Sequence, residues 1–550
     1  MAPSESPDIH DRLRGYVTRS APLGPNDAGR IVDVEVAAKL FDVHNKSFHT
    51  LLRRELSVLI GRRGSGKTAL LNSYKYRPFL DRASKPAAVV TTSDFRSYDI
   101  VIDVLTYKQF DDMQRMVRGD TGQFRPVEAI VDDWENLVTD YFFAKFIELE
   151  ITEGRHTESV KRINHYLHQD VDDYKRRIRE MVWGPSLPER IKDWFQAHAG
   201  THSKMNRADA IGVIADYLRE TKRRVLLICD SMDEYNIGDK WFDRTLGALI
   251  RFISQFNARQ DRVQVKLGLP SEIYPEVSRA SANALKDLGD VDQVTWTALE
   301  LAQIAAHRFR LFLELYEPDE FVRFAELNIN DRTDVRRFWS LLFPATIKNR
   351  FDVDEEPLTY ILRHTQLLPR QFLMILHKMI TRCHTDTGTY RSLGEAFIRD
   401  AIEDTEPLIA SEIFQAFEHV YPVAEKLCKP VFANFSTVFS YDELEDRWRK
   451  LGRAVAARHA PHVTPEFDMP EFAEMVIRMG IIGVGHDETE RYYEGHFGYD
   501  SLTPMNIGQG HALCLHPIFS RHFNASGNAK RKAVIAKGVS QVRWRANEQD

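Results

Sequence analysis

Short apolar runs rich in β-branched residues alternate with longer stretches of helical periodicity along the first 300 residues. The runs at 56–60 (LSVLI), 87–92 (AAVVTT), 224–230 (RVLLICD), 263–269 (VQVKLGL) and 292–296 (DQVTW) predict strands. Their apolar residues are nearly continuous rather than alternating, as in strands covered on both faces. With helical segments between them they predict a parallel sheet joined by helical crossovers. Over a hundred residues separate the second run from the third, among them the helical stretch at 127–151, which lacks Pro and Gly. A crossover needs only about a dozen residues, so residues 105–215 are expected to form a helical insertion in an α/β core.

Beyond Trp296 the period turns helical. Leu301, Ile304, Ala305, Phe309 and Phe312 fall on one face, which predicts an amphipathic helix. Residues 301–415 are expected to form a helical lid domain on a core spanning 31–300. From 416 to 525 two helices, FSYDELEDRWRKLG and PEFAEMVIRMG, precede two strands about a polar turn in IIGVGHDETERYYEGHFGY. Helix, helix, hairpin is the order of a winged helix. Residues 1–30, rich in Pro, Ser, Asp and Gly, are expected as a mobile leader. The segment at 36–56 is expected to pack beside the first strand. Residues 526–550 are expected as a basic tail.

Composition narrows this little: 550 residues call for more than one core, and 43% hydrophobic with 28% charged residues is ordinary for a globular protein. No apolar run approaches the roughly 18 residues of a membrane span, and the first residues, MAPSESPDIHDR, lack the pattern of a secretory signal. Cysteines at 229, 383, 428 and 514 are too scattered for a zinc knuckle or redox pair. A reducing, cytoplasmic setting is therefore expected. A net charge of −6 argues against whole-surface binding of nucleic acid and leaves room for a local basic patch.

Chemistry enters at VLIGRRGSGKTALLNSY. Gly61, Gly66, Lys67 and Thr68 spell G-x-x-x-x-G-K-T between a predicted strand and a predicted helix, the setting that a P-loop requires. Glycines let successive amides curl about a phosphate, Lys67 reaches the β- and γ-phosphates, and Thr68 offers its hydroxyl to Mg²⁺. The phosphate cradle is thus expected to comprise Gly61, Arg62, Arg63, Gly64, Ser65, Gly66, Lys67, Thr68 and Ala69. The arginines are not fixed by the motif and could equally face solvent.

RVLLICDSMDEY supplies the second element, an aliphatic strand ending at Asp230 with Asp233 and Glu234 close behind. Asp230 is expected to hold Mg²⁺, directly or through water, and Glu234, or else Asp233, to polarise the attacking water. This hhhhD-x-x-D-E arrangement resembles the corresponding element of the STAND and NACHT-like branch of P-loop ATPases. More broadly it resembles AAA+ and related ATPases, whose sheets carry an extra strand between the two phosphate-site elements. The resemblance covers about residues 50–415 and implies ATP and Mg²⁺ as cofactors. It also implies a polar sensor after the next strand (Ser271 or Glu272, or else Lys266) and an arginine supplied by a neighbouring subunit, with Arg251, Arg259 and Arg279 in the right neighbourhood. HTQLLPRQFLMILHKM resembles the start of a lid helix in AAA+ and initiator-like ATPases, which implies that Arg370 faces the nucleotide. The family's glycine before that Pro-Arg pair is replaced by Leu368. No N-K-x-D element follows Asp230, which favours adenine over guanine.

The remaining clusters are weak: RINHYLHQD fits a helix surface and GHDE a turn. The C-terminal domain either packs on the ATPase and regulates it or grips duplex DNA through Arg491, Tyr492, Tyr493 and His496. The expectation is an ATP-hydrolysing switch that forms homo-oligomers and regulates a protein effector, with a setting in bacterial antiviral defence implied by resemblance alone. The alternatives are a DNA-associated ATPase and a nucleotide-locked scaffold.

Overall fold

The computed structural model describes residues 8–41, 56–83, 98–105, 125–169, 173–184, 187–200, 202–230, 240–275, 290–459, 467–489, 491–500, 505–528 and 531–539. Two compact units divide the chain. One comprises His49–Ile60 and Leu70–Asp292; the other comprises Met1–Phe48, Gly61–Ala69 and Gln293–Asp550.

The first unit is built on a five-stranded sheet of β1 (Leu56–Gly61), β2 (Ile100–Leu105), β3 (Val225–Cys229), β4 (Val263–Pro270) and β5 (Asp290–Gln293), in the order β2-β3-β4-β1-β5. β2, β3 and β4 run parallel, with Ile100 opposite Val225 and Val225 opposite Val263. β3 and β4 are buried along their whole lengths, as unbroken apolar runs require. β4 stands between β1 and β3, the extra strand that the resemblance implied. The α/β class and parallel core are therefore as expected. The strand expected at 87–92 lies outside the described residues, and β2, which the sequence reading passed over, is the second strand of the sheet.

Among the described residues, five helices lie between β2 and β3: Val127–Thr152, Glu158–His168, Asp173–Val182, Glu189–Ala197 and Arg207–Glu220. The first is 26 residues long and packs against Lys240–Arg259, the crossover helix from β3 to β4. Trp134, fully buried, donates its indole N–H to the Thr245 carbonyl at 2.9 Å. The insertion also buries Glu150, which accepts from Arg155 (2.8 and 2.9 Å), Arg223 (2.7 Å) and Tyr217 (2.5 Å). Burial pushes that carboxyl up, and the surrounding donors outweigh it, leaving the group below its ordinary value.

In the second unit the expected helical stretch holds Ala298–Tyr316, Pro369–Thr387 and Glu395–Ala416 among its helices. Residues 8–30 are not a free leader. The short helix Ile9–Leu13 and the turns after it bury Leu13, Val17 and Leu23. Arg308, on Ala298–Tyr316, donates to the Leu23 and Pro25 carbonyls at 3.1 and 3.0 Å and stacks over Phe41. Burial lowers its pKa to about 10. The helix Val34–Leu40, capped by Asp33, adjoins the same helix, where His307 meets the Lys39 carbonyl at 2.6 Å.

Further on, Tyr441–Arg447, Met469–Arg478 and a hairpin follow in the expected order. The sheet is wider than a hairpin. β8 (Val438–Ser440), β9 (Ile482–Glu488), β10 (Tyr492–Phe497), β11 (Ala512–Leu515) and β12 (Ala533–Ala536) lie in the order β12-β10-β9-β11-β8. β12 corrects the reading of residues 526–550 as a tail. It pairs in parallel with β10, Tyr492 opposite Ala533, and all four of its residues are buried. β6 (Ile347–Lys348) pairs with β7 (Asp354–Glu355) in a small two-stranded ribbon. All four cysteines are buried and unpaired, and no helix among the described residues is long and apolar enough to cross a membrane.

Candidate nucleotide site

β1 ends at Gly61 and the helix Lys67–Ala83 begins six residues later. The intervening loop turns through Gly64 and Gly66, whose φ angles of +84° and +88° place them where side chains are disfavoured. A Cβ at Gly61 would stand 2.4 Å from the Ser65 hydroxyl oxygen and 3.1 Å from Cγ of Lys67. A Cβ at Gly64 would stand 3.1 Å from Cβ of Arg370. The loop is tightened by the Ser65 amide donating to the Arg62 carbonyl at 3.0 Å. Its ammonium group is buried: Lys67 Nζ donates to the carbonyls of Gly61 (2.9 Å) and Arg62 (3.3 Å). Ser65 Oγ is buried and has no hydrogen-bond partner among the described residues.

A strand, a glycine curl with left-handed turns, an inward lysine and a helix start make a concave array of amides with one cation. This donor set fits phosphate oxygens, and the buried Ser65 hydroxyl is a further donor whose hydrogen bond is unmade. Thr68 and Ala69 are half-buried in the first turn of the helix, and Arg63 is exposed.

Two residues from far along the sequence, Trp296 and Arg370, brace the loop. Trp296 donates its indole N–H to the Ser65 carbonyl at 2.7 Å. Arg370, the second residue of Pro369–Thr387, approaches Gly64 with both its backbone amide (3.5 Å to the Gly64 carbonyl) and its side chain. Its approach follows a left-handed residue, Leu367 at φ +51°, one position before the Leu368 that replaces the family's glycine.

Arg62 departs from its predicted place. Only 6% exposed, it leaves the cradle: its guanidinium donates to the Met479 carbonyl at 3.3 Å and lies over the rings of Phe417 (5.7 Å) and Tyr499 (5.4 Å). Aromatic faces and a carbonyl suit a weakly hydrated guanidinium better than the crowded inner loop. Gln366 donates to the same Met479 carbonyl at 3.1 Å. The turn at Met479 and Gly480 is thus held both from the loop and from the segment leading into Pro369–Thr387. Beside it opens a cleft of about 350 Å³ whose walls include Arg62, Trp296, Leu368, His496 and Tyr499.

In the other unit Asp230 follows β3, half-buried. A Cβ on Gly268 of β4 would meet Asp230 Oδ1 at 2.9 Å and Leu71 at 3.0 Å. The missing side chain at 268 therefore leaves room for the Asp230 carboxylate and Leu71 within this unit. The neighbouring Cys229 thiol is pushed up by burial and by the carboxylates of Asp230 and Asp103, which leaves it inert. Ser271 directly follows β4, Glu272 is buried, and Lys266 is buried with its ammonium 5.7 Å from the Tyr74 ring. Asp233, Glu234 and Arg279 lie outside the described residues. Arg251 and Arg259 pair within their own unit, with Glu128 (3.3 Å) and Glu135 (2.8 Å).

Of the residues proposed to touch DNA, Tyr492 is buried against Ala533 and Ile535, and His496 lines the cleft. Trp296, Gln366 and the inward turn of Arg62 had no signal in the sequence, since their partners lie over a hundred residues away.

No protein-family model and no curated protein matches the chain. Among solved structures, Cdc6p from Pyrobaculum aerophilum aligns at 11% identity over 92% of this chain and 96% of its own, with a TM-score of 0.28. The Aeropyrum pernix ORC2 protein, solved as ADPNP–ADP complexes, aligns at 12% identity over 82% of this chain and 86% of its own, with a TM-score of 0.33. Scores this low add nothing to the loop's own geometry.

Proposed function

We propose that the chain binds and hydrolyses ATP with Mg²⁺ and acts as a molecular switch of the AAA+ and STAND kind. The observation that carries this reading is the loop at 61–68, a cradle that a Cβ at Gly61 or Gly64 would crowd, with Lys67 turned inward. Its amides and Lys67 would hold the phosphates. Thr68 would offer its hydroxyl to Mg²⁺, which supplies charge neutralisation on the phosphate oxygens, and Asp230 is proposed as a Mg²⁺ ligand from its place at the end of an aliphatic strand alone. Glu234, or else Asp233, would take the proton of the attacking water. Aromatic and aliphatic walls suit the adjoining cleft to a base.

The switch reading is supported by Arg62, which sits in the phosphate loop yet ends on the Met479 carbonyl. A change in the loop's shape on losing the γ-phosphate would be felt at the turn that Gln366 also holds. Ser271 or Glu272 remains the proposed sensor, and Arg370 the lid arginine. Self-association and a protein effector are part of the proposal on the resemblance to switch ATPases, whose sites are completed by a neighbour's arginine. The setting proposed is cytoplasmic. A DNA-gripping role has lost Tyr492 to the core, so a regulatory role for the C-terminal domain is preferred.

The purified chain is expected to release phosphate from ATP, and chelating Mg²⁺ is expected to stop it. Nucleotide binding without any release would instead favour a nucleotide-locked scaffold.

A further inference from the structure

A second cavity, of about 600 Å³, opens within the unit that holds Gln293–Asp550, remote in sequence from the phosphate loop. Its walls come from the β6–β7 ribbon, the helices Glu395–Ala416 and Pro517–His522, and β12. The lining brings together Arg350, Arg363, Arg399, Arg521 and Lys532, facing fewer carboxylates. Four of these cations have an acidic partner: Arg363 with Glu355 (3.1 Å), Arg399 with Glu395 (2.7 Å), Arg521 with Glu403 (2.7 Å) and Lys532 with Glu488 (2.8 Å).

Arg350 does not. Its guanidinium lies 4.8 Å over the Phe351 ring, and no carboxylate among the described residues lies within ion-pairing distance. Arg350 is exposed to solvent; partial desolvation and then the neighbouring Arg363 lower its pKa, against an opposing pull from Glu406. The carboxyl group that could compensate is Glu406. It faces His364, Arg521, Arg363, Arg350 and Glu403, and burial raises its pKa to about 8 despite the arginines. Near neutrality it is therefore largely protonated and can donate to His364 Nδ1, 2.5 Å away. Burial, with the Arg363 charge, holds His364 well below its ordinary value and so neutral. His364 Nε2 is buried and has no hydrogen-bond partner.

The hollow's lining carries the five cations against three carboxylates, Asp352, Glu403 and Glu406, a balance that favours an anion. Small-molecule sites typically span roughly 300–1,000 Å³, and planar guanidinium forks match phosphate oxygens in pairs. We propose that this cavity binds a phosphate-bearing small molecule of about nucleotide size, with Arg350 as its principal contact and Arg363, Arg521 and Lys532 completing the shell. Such a ligand ties Glu395–Ala416 to Pro517–His522 and β12. The site is separate from the ATP site proposed above and does not depend on it.

Calorimetric titration of inorganic pyrophosphate, with Mg²⁺ chelated, into the full-length chain tests this. In the Lys67→Ala background, where the phosphate loop no longer competes for the probe, one pyrophosphate is expected to bind, and adding Arg350→Ala is expected to weaken that binding about tenfold or more. Arg350→Lys, which keeps the charge and loses the fork, is expected to fall between them, and unchanged thermal melts confirm that both variants are folded. At pH 9 Glu406 is ionised and opposes the probe, so Glu406→Gln is expected to bind roughly tenfold more tightly than wild type there. The two should agree at pH 6, where the wild-type carboxyl is protonated. Binding that disappears with Lys67→Ala but survives Arg350→Ala would overturn the proposal, as would the absence of heat from the wild type at millimolar probe.

Discussion

Lys67→Ala is expected to bring ATP hydrolysis down by about 10²–10³-fold or to background, the cost of removing a preorganised charge from a developing phosphoryl transition state. Lys67 is only 5% exposed, and its ammonium is held by two carbonyls of the loop it serves. That arrangement keeps the cation at the mouth of a strand–helix turn instead of in solvent, so little reorganisation is needed on binding. The alanine variant loses those two hydrogen bonds as well, so its circular dichroism and melting temperature should be measured beside its phosphate release. Full turnover in a folded Lys67→Ala protein would remove the site assignment.

Glu234→Gln carries the second largest expected effect, a fall of about 10²–10⁴-fold in turnover with nucleotide affinity nearly unchanged. An amide fills the same space and cannot take the proton from water, so the loss should fall on kcat and leave binding intact. Single-turnover phosphate release and calorimetry on the same sample separate the two. Glu234 itself lies outside the described residues. The expectation rests on its place four residues after Asp230, whose carboxylate stands against the bare Cα of Gly268. Unchanged turnover would leave a scaffold that holds nucleotide without using it.

Local pattern made the core strands readable. An aliphatic run with a charged end, as in RVLLICD, has few places to go other than the buried middle of a sheet, and β3 is buried at every residue. The glycines of the loop were legible for the same local reason, since Gly64 and Gly66 take φ angles that other residues avoid. What failed was non-local. Arg62 was expected in the cradle or else in solvent, and its guanidinium instead donates to a carbonyl 417 positions away. AVIA at 533–536, flanked by lysines and arginines, looked like part of a basic tail because its burial depends on pairing with β10. Residues 8–30 looked mobile by composition, yet three apolar side chains and the reach of Arg308 fasten them down. Trp296, too, braces Ser65 across 231 positions that no spacing rule connects.

The central claim is that the amides around Gly64 and Gly66, with one buried lysine, grip a triphosphate. Titrating ATP with Mg²⁺ into the folded wild-type chain by calorimetry tests it most directly. Saturable binding that Lys67→Ala abolishes or greatly weakens is the predicted result. A well-folded chain that takes up no adenine nucleotide would contradict it.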